Sequence, residues 1–197
     1  GGTEIGRKVY ESAAAHLTPV TLELGGKSPV IVAADADIEV AAKRIAWTKL
    51  INSGQICIAP DYVLAEASIR DQLVDKLRSA VEEFEAGNPG GKRIVNERHF
   101  NRLVNALAAT KGSVAVGGGS DAVDIRIQPT VVVDPDPAEP LMTDEIFGPI
   151  LPVLTVQNLD EAISFVNARP KPLAAYLFTK AKAVRERFIR EVPAGGI

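Results

Sequence analysis

The chain contains one cysteine, Cys57, in the short polar stretch NSGQICIAP over residues 52–60. A lone cysteine is most often an inert, buried side chain. The glycine and proline that flank Cys57 instead predict an irregular, accessible turn whose backbone N–H groups lack partners. Such groups can stabilise a thiolate, and then the oxyanion that forms when the thiolate attacks a carbonyl carbon. Cys57 is therefore a candidate nucleophile.

Two carboxylates also stand in unusual positions. Glu23 interrupts the apolar stretch VTLEL, residues 20–24, directly before a pair of glycines. It is either an edge residue that points to water or a general base in a cleft, where partial burial favours proton uptake by a carboxylate. Glu145 opens the stretch EIFGP, residues 145–149. It either belongs to an ordinary loop or holds the hydroxyl groups of a ribose.

Two glycine-rich stretches resemble phosphate-binding loops, but neither satisfies a full motif. GGKS, residues 25–28, lacks the first glycine of the Walker sequence, because position 21 is threonine. GGTEIG, residues 1–6, lacks the spacing of the dinucleotide fingerprint. Gly2 and Thr3 precede a predicted helix, so the free N–H groups of its first turn either bind a phosphate or only begin the helix.

Histidine could supply a base for Cys57 or a ligand for a metal. The chain has only His16 and His99, and with one cysteine these offer no zinc-like ligand spacing. The sequence therefore predicts no metal site. A papain-like pair would need the fold to bring His16 or His99 to Cys57, because neither is close to it in sequence.

Composition limits the classes of protein that the chain can represent. A length of 197 residues, with 46 % apolar and 24 % charged residues, predicts a soluble globular protein with one substantial core. Its 22 basic and 25 acidic residues give a net charge of −3 without a basic stripe, which argues against binding to nucleic acid or an anionic membrane. No membrane-spanning stretch or signal peptide is evident, and the lone thiol favours a reducing, cytoplasmic setting.

Apolar periodicity alternates between short strands and amphipathic helices, and several strands are uniformly apolar. This pattern predicts an α/β fold with a doubly wound, mostly parallel sheet and helices on both faces. The predicted strands cover residues 20–24, 29–33, 61–65, 113–116, 130–133, 150–156 and 174–178. The predicted helices cover residues 5–17, 37–50, 69–87, 96–107, 158–166 and 182–190, with a loop over 88–95 and a capping box at Asn158 and Glu161.

Four longer motifs follow one another along the chain. They are ELGGKSP at residues 23–29, NSGQICIAPDYVL at 52–64, LMTDEIFGPILPV at 141–153 and RPKPLAAYLF at 169–178. In order, spacing and content this set resembles the aldehyde dehydrogenase superfamily. The APDY and RPKPLA stretches resemble its class 3 branch, which includes fatty, aromatic and coniferyl aldehyde dehydrogenases.

The resemblance implies an NAD(P)-dependent oxidation of an aldehyde to a carboxylic acid. Cys57 matches the catalytic nucleophile of the family, which forms a thiohemiacetal and then a thioester, and Glu23 matches its general base. Separate residues for attack and for hydrolysis of the thioester would explain why no histidine is needed. Ile56 is a departure, because the class more often has threonine before the cysteine.

The resemblance also implies a binding site for NAD or NADP. Glu145 and Phe147 match positions that contact the nicotinamide-side ribose and the nicotinamide ring. Gly2 matches a small residue at the pyrophosphate, and Gly6 supports the helix turn beside it. No metal is implied.

Domain organisation follows from the same resemblance. Residues 1–22 match the end of a cofactor-binding domain, and residues 23–197 match most of a catalytic domain. The chain starts without methionine and stops at an apolar glycine-rich end, so we expect a fragment of a longer polypeptide that is inactive alone. The parent is expected to be a homodimer or a higher homo-oligomer.

Two other classes of function remain open from the residues themselves. A cysteine hydrolase or acyltransferase would use the thiol of Cys57 without a nicotinamide cofactor. A non-catalytic assembly domain would not use the thiol at all. The sequence names neither the aldehyde nor the preferred cofactor.

Overall fold

The computed structural model describes residues 1–88 and 91–197. Residues 89 and 90, part of the predicted loop over residues 88–95, lie outside the described residues. The strands are β1 (Pro29–Val32), β2 (Tyr62–Glu66), β3 (Ser113–Val116), β4 (Ser120–Asp121), β5 (Arg126–Ile127), β6 (Thr130–Val133), β7 (Ile150–Val156) and β8 (Tyr176–Phe178). The helices are α1 (Thr3–Ala14), α2 (Ile38–Leu50), α3 (Arg70–Gly87), α4 (Glu97–Ala108), α5 (Pro140–Thr143), α6 (Leu159–Asn167) and α7 (Lys182–Glu191), with a 3₁₀ turn over Ile51–Gly54.

Six of the strands form one sheet in the order β3–β6–β7–β2–β1–β8. Every neighbouring pair is parallel except β3 with β6, which is antiparallel. The strands β4 and β5 form a separate two-stranded ribbon. The sequence prediction of a mostly parallel sheet is therefore confirmed.

The sheet is covered on both faces because successive side chains of its strands point to opposite sides. Val30 and Val32 of β1 pack in a buried apolar core with α2 and α3. Ile31, between them in sequence, packs on the opposite face with α6 and α7. No helix in the described ranges is long and apolar enough to cross a membrane.

Local signals set the starts of several helices as predicted. The side chain of Asn158 accepts a hydrogen bond from the backbone N–H of Glu161 at 3.0 Å, which caps α6. The carboxylate of Glu161 reaches back and accepts from the N–H of Gln157 at 2.6 Å. The predicted capping box is confirmed, with one difference: the Glu161 carboxylate bonds to the N–H of Gln157, the residue before the N-cap Asn158.

The predicted strand over residues 20–24 is wrong. A strand needs a neighbour that continues its ladder of hydrogen bonds, whereas this segment is irregular and bonds to one residue. The terminal amine of Gly1 donates to the carbonyl of Glu23 at 2.7 Å, and the N–H of Gly25 donates to the carbonyl of Gly1 at 3.2 Å. The ribbon β4–β5 and the short helix α5 were not predicted, because each is too short to show a periodic pattern.

The topology explains how distant motifs come together. The strands β7, β2, β1 and β8 are neighbours in that order and run parallel. Each of the four long motifs includes the residues immediately before one of these strands. Because the amino ends of parallel strands lie at one edge of a sheet, the four motifs meet there.

Candidate active site

A buried ion pair joins three of the four motifs at this edge. Lys27 pairs with the carboxylate of Asp61, and its ammonium also donates to the carbonyl groups of Leu141 at 2.8 Å and Asp144 at 2.9 Å. Asp61 in turn accepts from the backbone N–H of Ile146 at 2.9 Å. The Lys27 and Asp61 side chains are only 11 % and 4 % exposed. Sequence reasoning did not single out either residue.

The fourth motif, RPKPLAAYLF, approaches the same edge through two contacts. Gly26 has a φ angle of +125°, and a Cβ atom there would lie 3.4 Å from the Cα atom of Pro172. The hydroxyl of Tyr176 donates to the carbonyl of Ile58, next to the cysteine, at 2.6 Å.

The turn before Cys57 has an unusual backbone. Asn52 and Ser53 have φ angles of +51° and +53°, in the left-handed region that non-glycine residues seldom adopt. The hydroxyl of Ser53 accepts from the N–H of Lys92 at 2.7 Å and donates to its carbonyl at 3.0 Å. These bonds hold the strained conformation in place.

Glycine is required at position 54 of this turn. Gly54 has a φ angle of +74°, and a Cβ atom there would lie 2.2 Å from the carbonyl oxygen of Gly148. The turn therefore packs directly against the EIFGP stretch. The side chain of Gln55 fixes the opposite side of the turn, because it accepts from the N–H of Val95 at 2.8 Å and donates to the carbonyl of Arg93 at 3.0 Å.

Cys57 itself is exposed, as the sequence predicts. The backbone N–H groups of Ile56, Cys57 and Ile58 donate no hydrogen bond to any described residue. Burial, followed by the electrostatic effect of the nearby Cys57, raises the pKa of Tyr176 above its usual value. The turn thus presents an accessible thiol beside free backbone donors and a tyrosine.

Glu145 lies directly over the paired glycines of the ELGGKSP motif. A Cβ atom on Gly25 would lie 2.2 Å from a carboxylate oxygen of Glu145, so a larger residue there would displace this carboxylate from its observed position. The backbone N–H of Gly26 lies close enough to the carboxylate to favour its charged form. Burial is the main cause that raises the pKa of Glu145, and this N–H group opposes it.

A cavity of about 740 Å³ connects Glu145 to the start of α1. Gly2 and Thr3 line it on one side, and Glu145 and Lys27 line it on the other. Its volume lies within the range of small-molecule and cofactor pockets. Gly6 is buried beside it, where a Cβ atom would lie 2.8 Å from the side chain of Leu24, so its role in the structure is close packing.

Phe147 follows Glu145 by two residues, and its ring lies beside α4. Its φ angle is +49°, and its ring centre lies 6.4 Å from that of His99. Burial, followed by the positive charges of Arg102 and Arg98, lowers the pKa of His99. His99 therefore belongs to the surroundings of Phe147.

The structure does not place every candidate base in contact with Cys57. Glu23 is exposed, and within residues 1–88 and 91–197 no hydrogen bond links it to Cys57. His16 and His99 likewise make no hydrogen bond to Cys57 among the residues that the structure describes. Gly2 and Glu145, by contrast, line the same cavity.

Lys49 is a third charged residue that sequence reasoning missed, after Lys27 and Asp61. It is 2 % exposed, and its ammonium has no hydrogen-bond partner among the described residues. Burial lowers its pKa to about 8, against the opposing effects of Asp61 and Glu145. Its spacing was a usable signal, because position 49 follows the buried Ile45 and Ala46 by four and three residues on α2.

Fold and site together define a class of protein. It is an α/β domain that presents an accessible thiol and a glycine-lined cavity at the amino edge of a parallel sheet. The whole chain, residues 1–197, matches the family described as "Aldehyde dehydrogenase family". The chain belongs to the aldehyde dehydrogenase family.

Two mouse relatives show the class 3 character that the motifs predicted. The mouse protein named aldehyde dehydrogenase family 3 member A2 is 49 % identical, over all of this chain and 41 % of its own length. The mouse protein named aldehyde dehydrogenase, dimeric NADP-preferring is 47 % identical, over all of this chain and 44 % of its own length. The chain thus spans less than half the length of these relatives.

Solved structures confirm the fold. A substrate-bound AldH from Staphylococcus aureus superposes with a TM-score of 0.95 at 44 % identity, over all of this chain and 44 % of that one. A betaine aldehyde dehydrogenase from the same organism, solved with NAD+, gives a TM-score of 0.90 at 28 % identity, over all of this chain and 41 % of that one.

Breaking the ion pair between Lys27 and Asp61 should cause a large loss of stability. Asp61→Ala leaves the ammonium of Lys27 and the N–H of Ile146 buried without their carboxylate, so we expect a loss of about 3–5 kcal/mol in the free energy of unfolding. Urea denaturation of the 197-residue chain measures it. Asp160→Ala, which breaks the exposed pair with Arg187, should cost less than about 1 kcal/mol. Equal losses in the two variants would contradict the assignment.

Replacing Lys49 by an apolar residue should raise the free energy of unfolding by an amount that depends on pH. A pKa lowered from 10.5 to about 8 corresponds to about 3 kcal/mol. The unfolded chain keeps this proton up to about its ordinary pKa, so between these values it binds more protons than the folded chain, and stability rises with pH. Lys49→Met should therefore stabilise the chain by up to about 3 kcal/mol at pH 7.

The gain from Lys49→Met should shrink as the pH rises from 8 towards 10.5, because the wild-type amine then loses its proton in the folded state. Urea denaturation at pH 7 and pH 9.5 measures the difference. Lys43→Met, on the exposed face of the same helix, is the matched control. A gain independent of pH would show that buried charge is not the cause.

Proposed function

We propose that the full-length protein containing this chain oxidises an aldehyde to a carboxylic acid with NAD+ or NADP+. Family membership supports this function. The observation that carries it is the accessible Cys57, in a turn with free N–H donors, at the same sheet edge as the cavity lined by Gly2 and Glu145.

The chemistry begins at the sulfur atom. The Cys57 thiolate adds to the carbonyl carbon of the aldehyde and forms a thiohemiacetal. The N–H groups of Ile56, Cys57 and Ile58, which donate to no described residue, can donate to its oxyanion. A bound nicotinamide ring supplies the hydride acceptor that the oxidation needs.

Hydrolysis of the thioester on Cys57 completes the reaction. We assign the activation of water to Glu23, which is exposed and whose carboxylate accepts no hydrogen bond from the described residues. The support for this role is the ELGGK stretch, in which Glu23 matches the general base of the family. The acid product then leaves and the thiol is restored.

The cavity has groups that suit a dinucleotide. Gly2 precedes the first turn of α1, whose N–H groups favour phosphate, and Gly6 lets this helix pack closely. The carboxylate of Glu145 suits ribose hydroxyls. Phe147, two residues further along and outside the lining of this cavity, offers a ring surface for the nicotinamide. One relative is named NADP-preferring and another was solved with NAD+, so both cofactors belong in the test.

The first experiment is an aldehyde panel with NAD+ and NADP+ on the full-length parent. We expect aldehyde-dependent formation of the reduced cofactor, and a loss of at least about a thousandfold in Cys57→Ser. Glu23→Gln should keep the rapid first turnover but slow the steady state, because it blocks only thioester hydrolysis. Undiminished activity in Cys57→Ser would contradict the proposal. Cleavage of esters that depends on Cys57 and requires no nicotinamide cofactor would favour a hydrolase.

We also propose that residues 1–22 end a cofactor-binding domain and that residues 23–197 form most of a catalytic domain. The division rests on the motif resemblance, and the chain covers only 41 % and 44 % of its mouse relatives, which leaves length for the rest of both domains. The purified 197-residue chain should therefore fold but show no aldehyde-dependent reduction of NAD+ or NADP+. Turnover by this chain, abolished by Cys57→Ser, would contradict the expectation.

For the parent we propose a homodimer or a higher homo-oligomer in a reducing, cytoplasmic setting. The name of one relative as dimeric supports the assembly, and an exposed, unpaired thiol supports the reducing setting. Light scattering of the parent measures its mass, and a mass of one chain would contradict the assembly.

A further inference from the structure

One residue of the EIFGP stretch has both of its backbone polar groups held by charged side chains. The N–H of Ile146 donates to Asp61 at 2.9 Å, and its carbonyl accepts from the guanidinium of Arg102 at 2.6 Å. Ile146 is only 1 % exposed. Hydrogen bonds to charged groups are stronger than neutral ones, so this residue has little freedom to turn.

The two neighbours of Ile146 depend on this orientation. Glu145 precedes it and lies over Gly25, and Phe147 follows it with a φ angle of +49°. A left-handed phenylalanine persists only where its surroundings hold it. Next to it, a Cβ atom on Gly148 would lie 2.5 Å from the side chain of Leu103, so α4 supports the turn directly.

Arg102 is itself oriented by its own helix. His99 lies one turn earlier on α4, and the Nε and one terminal nitrogen of Arg102 both lie 3.4 Å from its Nδ1 atom. Burial lowers the pKa of His99, which favours a neutral ring that can accept there. The ring of His99 also lies beside Phe147.

We propose that Arg102 is a positioning residue for the nicotinamide cofactor, because its bond to the Ile146 carbonyl, together with that of Asp61 to the Ile146 N–H, holds Phe147 and Glu145 on either side in their binding orientation. The inference rests on the proposed function. Arginine suits the position because its planar fork reaches both the Ile146 carbonyl and His99, whereas a lysine offers one point of charge.

The test uses the full-length parent with Arg102→Met and Arg102→Lys. In Arg102→Met we expect the KM and the Kd of the cofactor to rise roughly tenfold, since a charge-assisted bond is lost. The KM of the aldehyde and kcat should change less than about threefold. Arg102→Lys keeps a cation and one donor, so its cofactor Kd should rise about threefold, and this variant decides the matter if Arg102→Met fails to fold.

The matched control is Lys111→Met, an exposed cation just after the same helix, which should leave cofactor affinity unchanged. The rate of Cys57 alkylation by iodoacetamide, measured without cofactor, separates positioning from general damage. It should be the same in wild type and both Arg102 variants.

Two results would overturn the inference. One is an unchanged cofactor Kd in Arg102→Met, or in Arg102→Lys where the first does not fold. The other is an alkylation rate and an aldehyde KM that change as much as the cofactor Kd. A parent that binds neither nucleotide and oxidises no aldehyde contradicts the proposed function as well, whereas a normal parent with an insensitive Arg102 contradicts only this inference.

Discussion

The ion pair between Lys27 and Asp61 is the interaction on which the edge of the sheet depends. Two charges removed from water are costly, and the cost is offset only when hydrogen bonds satisfy their remaining donors and acceptors. Here those bonds go to backbone groups of Leu141, Asp144 and Ile146, and they offset the cost of burial. The same bonds join three segments of the chain. Breaking the pair would therefore loosen both the segment that carries Cys57 and the segment that carries Glu145.

The site lies at the amino ends of the strands, although open α/β sheets usually bind ligands beyond the carboxyl ends. The reason lies in the connections. Strained or glycine-dependent turns precede the strands, as at Ser53, Gly54 and Phe147, and long-range hydrogen bonds hold them. These turns present the thiol and the cavity at the amino edge of the sheet.

Local patterns allowed accurate predictions where the signal was local. The strands at residues 113–116, 130–133 and 150–156, and the capping box at Asn158, appear where the sequence placed them. The segment over residues 20–24 has an equally apolar pattern but forms no strand. Its pattern is compatible with a strand, yet strand formation depends on a neighbour that sequence periodicity cannot supply.

The sequence by itself determined the chemistry available to this protein: one thiol, an interrupting Glu23, an EIFGP stretch, and motifs whose family is confirmed across the whole chain. Only the tertiary structure decided which groups meet. Lys27 reaches a carbonyl 114 residues away, and Arg102 holds a peptide 44 residues away. Such contacts depend on strand order and on packing between helices and loops, and neither is recorded in the spacing of residues along the chain.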